Sequence, residues 1–107
     1  MSTLLDNLRR QCDGPRDGAL LRYSLGSALL EAGDATGAVA AFERALGFDP
    51  TYSAAWKLLG KAHLAAGSPA AAAEAWRRGI AAAGARGDKQ AEKEMTVFLR
   101  RLEKPRL

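Results

Sequence analysis

One cysteine and one histidine in 107 residues remove several kinds of chemistry at the outset. A lone Cys12 can form neither an internal disulfide nor a cysteine-based metal cluster. A lone His63 cannot supply a two-histidine metal site or a histidine relay within one chain. Val occurs twice and Ile once, so the β-branched apolar residues that favour strands are scarce. No stretch approaches the ~18 uncharged apolar residues that a membrane span needs. The opening MSTLLDNLRR places no basic segment ahead of an apolar one. These features lead us to expect a soluble, unexported protein of a bacterial-type cytoplasm, with which a single thiol is compatible.

What is abundant is alanine. It dominates a hydrophobic fraction of 48%, which favours thin helices in close contact over sheet. A chain of this length fits one domain. The formal charge of +4 is unevenly spread. Residues 1–53 hold five Lys/Arg and seven Asp/Glu, whereas residues 54–107 hold eleven and five. The basic second half could attract an acidic peptide or nucleic acid, or could consist simply of solvated helix faces.

Slid against itself, the sequence agrees at a spacing of 34. Leu25-Gly26 falls on Leu59-Gly60, Ala32-Gly33 on Ala66-Gly67, Ala38 on Ala72, Phe42 on Trp76 and Leu46 on Ile80. Each copy reads as two helices joined by a tight turn. In the second copy, Trp56, Leu59, Gly60 and His63 follow the i, i+3, i+4, i+7 pattern of one buried face over 54–66. Gly67 closes that helix, and Ser68-Pro69 opens the next with a potential hydroxyl cap and a proline at the first helical position. Gly26 and Gly60 lie mid-helix, where glycine costs up to ~1 kcal/mol relative to Ala. Close helix contact would explain that cost, with Phe42 and Trp76 as the rings that fill the space.

Trp56, Leu59, Gly60, Ala72 and Trp76 in one copy, with Leu25, Gly26, Ala38, Phe42, Ala45 and Pro50 in the other, resemble the tetratricopeptide-repeat signature. The resemblance implies an all-α fold, an α-α superhelix of two repeats. Three positions depart from the pattern between copies: Arg22 stands where the second copy has Trp56, and Gly79 and Gly84 stand where the first has Ala45 and Pro50.

Two repeats cannot bury their outer faces alone, and arrays generally need about three units, so the flanks are expected to act as caps. Residues 88–103 read as one helix with Ala91, Met95, Phe98, Leu99 and Leu102 as its buried stripe, stopped by Pro105. At the other end, Thr3-x-x-Asp6 resembles a capping box ahead of Leu4, Leu5 and Leu8. We therefore expect a single domain over 1–107: an N-terminal helix and turn (1–18), repeats at 19–52 and 53–86, and a C-terminal capping helix (87–107), six helices in all.

Candidate chemistry is thin. His63 is expected as a packed core residue, Cys12 as a small apolar helix residue, and no glycine run matches a phosphate-binding loop. We expect no enzyme activity, no cofactor and no metal. Binding has better support, because the first helices of stacked pairs line a concave side. The residues off the buried stripe are Ala54, Lys57, Lys61 and Leu64 in the second copy and Leu20, Tyr23, Ser27 and Leu30, with Glu31 beside them, in the first. The resemblance also brings in relatives that clamp a peptide's C-terminal carboxylate with Lys and Asn across three repeats. Lys57 fits that pattern, but the Asn and the third repeat are missing. An adaptor or scaffold holding an acidic or amphipathic partner segment in the groove is the leading expectation. Self-association is the alternative. Nucleic-acid binding through Lys89, Lys93, Arg100, Arg101, Lys104 and Arg106 ranks last, because no aromatic residues interleave with those charges.

Overall fold

The computed structural model describes residues 3–104, and among them it contains six helices and no strand. They are α1 (Leu4–Gln11), α2 (Ala19–Glu31), α3 (Ala35–Phe48), α4 (Ser53–Ala65), α5 (Pro69–Arg86) and α6 (Lys89–Glu103). Pro105 lies outside the described residues, and the structure does not speak to its part in ending α6.

Local chemistry sets the boundaries. Thr3 caps α1 by accepting from the Asp6 N–H at 3.1 Å while Asp6 accepts from the Thr3 N–H, a complete capping box. Both repeats turn on a glycine: Gly33 and Gly67 adopt φ of 86° and 83°, a left-handed conformation that a side chain would strain. In each copy the same two bonds close the helix. Gly33 and Asp34 donate to Leu30 and Leu29, and Gly67 and Ser68 donate to Leu64 and His63. Asp34 then caps α3 through the Gly37 N–H at 2.9 Å. The expected Ser68 cap is not made: no side-chain bond forms there, and Pro69 at the helix start leaves one fewer N–H in need of a partner.

The core is one cluster of small and large side chains that runs through all six helices. A Cβ placed on Gly26 would lie 2.6 Å from Cε1 of Phe42, which is fully buried. One placed on Gly60 would lie 2.1 Å from Nε1 of Trp76, which is 2% exposed. Both mid-helix glycines therefore serve close approach, as the sequence suggests. The Trp76 Nε1 donates to the Lys57 carbonyl at 3.1 Å, so even its polar atom is satisfied within the crossing.

The departures between copies have physical reasons. Trp56 donates from Nε1 to the Pro50 carbonyl at 2.8 Å, tying α4 to the loop before it. Arg22 ties α2 to its preceding loop by different chemistry, donating from Nε and Nη2 to the two oxygens of Asp17 at 2.8 Å each. These side chains are only 14% and 9% exposed, and the Arg22 guanidinium holds the Asp17 carboxyl well below the usual carboxylate range. Gly79 leaves room for α6, since a Cβ there would sit 2.6 Å from the Trp56 Cβ and 2.5 Å from the Met95 sulfur. Gly84 replaces the proline that follows α3, so α5 runs on to 18 residues where α3 has 14. Its extra turn brings Arg86 to Asp49, which it grips through both carboxylate oxygens at 2.9 and 2.7 Å.

α4 packs against both α2 and α6, whereas α3 and α5 nowhere bring their Cα atoms within 8 Å. First helices converge and second helices splay, which makes the side formed by α2, α4 and α6 the concave one. α6 thus does more than close the array: it takes the place of the first helix of a third pair.

Candidate functional site

Three parallel helices build the concave face. On α2 and α4, residues off the core stripe recur every three or four positions, so they share one side of each helix. The structure sorts the nine sequence-derived residues into two groups. Leu20 (69% exposed) and Leu64 (40%) offer apolar surface at opposite ends. Glu31 and Lys61 are also exposed, and Ala54, Ser27 and Leu30 are half-buried between them.

Tyr23 and Lys57 already have partners in the fold. The Tyr23 ring stacks on Tyr52 at 5.0 Å between centroids and tilts against Phe42 at 5.9 Å. It is half-buried, packed against these two rings rather than standing free on the face. Burial beside it pushes the Tyr52 hydroxyl above its usual value. Lys57 donates from Nζ to Glu94 of α6 at 3.3 Å, with side chains 25% and 35% exposed. A pair this open to water contributes at most ~1 kcal/mol, so an incoming carboxylate can take the place of Glu94 cheaply. Lys61 lies over the Phe98 ring at 4.8 Å, a cation–π contact that leaves its N–H groups available.

Sequence reasoning missed the third wall. Glu94, Val97, Phe98 and Arg101 occupy one side of α6, and Val97 is 42% exposed. The extra turn of α5 shifts α6 out of the thirty-four-residue register, so no self-alignment reveals these positions as counterparts of Lys57 and Lys61. Only the stripe of Met95, Phe98, Leu99 and Leu102 was legible, and it reads as a cap. Of that stripe Met95 is fully buried, while Phe98, Leu99 and Leu102 stay partly open.

The anchoring of α6 is polar as well as apolar. Ser53, 4% exposed, donates from Oγ to Asp88 at 2.6 Å. Asp88 in turn accepts from the Ala91 N–H at 3.1 Å as the α6 cap. The Ser53 bond is the main reason the Asp88 carboxyl is held below its ordinary range. This fixes the start of α6 against the start of α4 and so sets the width of the face.

His63 departs from expectation. It is half-buried rather than packed in the core, and it lines a cleft with Glu43, Trp56, Leu59, Glu74 and Arg78 on the outer side between α3 and α5. The imidazole is smaller than the tyrosine of the repeat signature at this position, and the splayed second helices do not close over it. Cys12 is partly buried against the core, its Sγ 3.5 Å from the Leu8 carbonyl, in keeping with a small apolar role. No helix of the described residues is long and apolar enough to cross a membrane.

Comparison with known proteins places this geometry. Two family models described as tetratricopeptide repeat match residues 29–88 and 4–53. A TPR repeat-containing protein of Pseudomonas aeruginosa is 52% identical over 103 residues, covering 96% of this chain and 98% of the relative. Among solved structures, a protein of Bordetella parapertussis superposes with a TM-score of 0.81 at 44% identity, covering 95% of this chain and 89% of that one. A tetratricopeptide repeat domain protein of Salinibacter ruber gives 0.76 at 26%, covering 85% and 91%.

Proposed function

Since the chain belongs to the tetratricopeptide-repeat family, whose fold is a general protein-interaction module, we propose that it is a non-catalytic adaptor or scaffold that holds a segment of a partner protein along α2, α4 and α6. One observation carries this reading. Leu20, Leu64 and Val97 remain 69, 40 and 42% exposed on the helices that line the inner side, and Lys61 stands among them without a carboxylate partner among the described residues. Exposed apolar residues rimmed by charge mark interaction surfaces. The partner suited to them is an acidic or amphipathic segment: its apolar side chains bury against the leucines, and its carboxylates meet Lys61 and displace Glu94 from Lys57. The relatives come from bacteria, and the setting proposed for the adaptor is a bacterial cytoplasm.

Charge reversal tests the groove. Lys57→Glu with Lys61→Glu is expected to weaken partner binding about tenfold or more, the ~1.4 kcal/mol of a lost charged contact or greater, and to leave helical circular dichroism intact. Unchanged affinity in a titration against a captured partner removes the groove from the account. The exposed Val97 at the open end of the array also favours a second reading, in which another copy covers that face. Sedimentation across a range of concentrations separates the two, since a partner-free chain that stays monomeric throughout leaves only the first.

A further inference from the structure

The inner face is not uniformly shallow. Where the last turn of α4 meets the second half of α6 there is a cleft of about 250 Å³, walled by Leu64, Trp76, Phe98, Arg101 and Leu102. Four of its five walls are apolar. The volume is below the ~300–1,000 Å³ of sites that enclose cofactors or drug-sized ligands, and it suits a single large side chain. Two cations stand at the cleft: Arg101 in its wall, and Lys61 over the Phe98 ring at 4.8 Å. Among the described residues neither is paired with a carboxylate, and the acid nearest in sequence, Glu103, is held by Arg77 of α5. An apolar hollow flanked by two unneutralised cations selects by charge as well as by shape.

The larger clefts of the outer side do not have this property. The one between α3 and α5 sets Glu43 against Arg78 over Trp56 and Leu59, so no sign of charge is preferred and nothing singles out an occupant.

We propose that the Leu64–Phe98–Arg101 cleft is the anchor subsite of the binding face. It takes one large apolar side chain of a partner protein, of the Leu, Ile or Phe class, with an Asp or Glu of the same segment within one helical turn of that residue. The apolar side chain lies against Leu64, Phe98 and Leu102, with the nearly buried Trp76 beneath, and burial of each Å² is worth ~25 cal/mol. The carboxylate accepts from the fork of Arg101, a geometry that can be bidentate, with Lys61 as the second donor. The inference rests on reading the α2–α4–α6 side as the binding surface, and it narrows that reading to a place and a sequence preference.

A displayed library of random twelve-residue peptides, selected on the full chain, supplies the probe. The expected result is enrichment of peptides that carry a Leu, Ile or Phe with Asp or Glu within four positions. The selected peptides should bind Leu64→Asp and Arg101→Glu at least tenfold more weakly than the unmodified chain. Both substituted positions are exposed, so the variants should fold, which circular dichroism checks. If the peptides lose affinity for Leu20→Asp or Lys57→Glu but bind the two cleft variants normally, the anchor subsite is refuted while the groove stands. If they bind all four variants normally, or if no sequence is enriched, both readings fall. A basic consensus overturns the charge argument outright.

Discussion

Gly60 concentrates the packing logic of the fold in one missing methyl group. Gly60→Ala places a Cβ 2.1 Å from Nε1 of Trp76, a rigid ring that is 2% exposed. Two penalties follow, one gain opposes them. Forcing the ring aside costs ~1–3 kcal/mol as overpacking. The same displacement takes Nε1 from the Lys57 carbonyl 3.1 Å away, and a buried donor left unpaired costs a further ~1–3 kcal/mol. Alanine returns up to ~1 kcal/mol of helix propensity. The balance is a loss of about 3 kcal/mol, which in a domain of this size lowers Tm by on the order of 10–20 °C. Gly47 is the internal control. It lies in the last turn of α3, where a Cβ meets nothing within 4 Å, so Gly47→Ala should gain up to ~0.5 kcal/mol from propensity alone. Thermal and urea unfolding followed by circular dichroism measure both. If Trp76→Leu is combined with Gly60→Ala, the two losses should add to less than their sum by over ~1 kcal/mol, because removing the ring removes the clash. A Gly60→Ala chain within ~0.5 kcal/mol of the unmodified protein, or two glycine variants of the same sign, would show that the crossing does not need the glycine.

Three further outcomes follow from the geometry. The Asp17, Asp49 and Asp88 carboxyls are held below their ordinary value by Arg22, Arg86 and Ser53 respectively. Each group with a depressed folded pKa contributes stability that is fully present above its unfolded value and is lost as pH falls through its folded value. Tm should therefore hold level from about pH 7 to 5 and decline below about pH 4, less steeply in Asp17→Asn; no decline down to about pH 2 would contradict these pairings. Met95→Ala should cost ~2–5 kcal/mol, since the side chain is fully buried against Gly79, and a loss under ~1 kcal/mol in urea unfolding would mean that α6 does not close the core. Arg22→Ala should speed amide exchange in α1 and in the loop to α2 on the order of tenfold while sparing α4 and α5; uniform protection would remove the Arg22–Asp17 tie as the element that fixes the N-terminal end.

The sequence by itself determined the helices, their pairing and the crossings. A self-match at thirty-four residues, glycines at the turn positions, and small residues opposite rings are local or near-local constraints, and each has a single inexpensive structural solution. It determined the capping box at Thr3 for the same reason: its partner lies three residues away. The tertiary structure decided what depends on distances between remote residues. Whether Tyr23 is free or stacked turns on Tyr52, twenty-nine positions on; whether Lys57 is unpaired turns on Glu94. The six-helix reading foresaw α6 as a cap, but its place as the third wall of the inner face follows from one extra turn of α5, which breaks the repeat register and carries Phe98 and Arg101 to Leu64. Periodicity reveals which side of a helix is buried; only the stacking of helices, fixed by glycines that admit rings and by polar ties such as Ser53 to Asp88, determines which residues left outside come together.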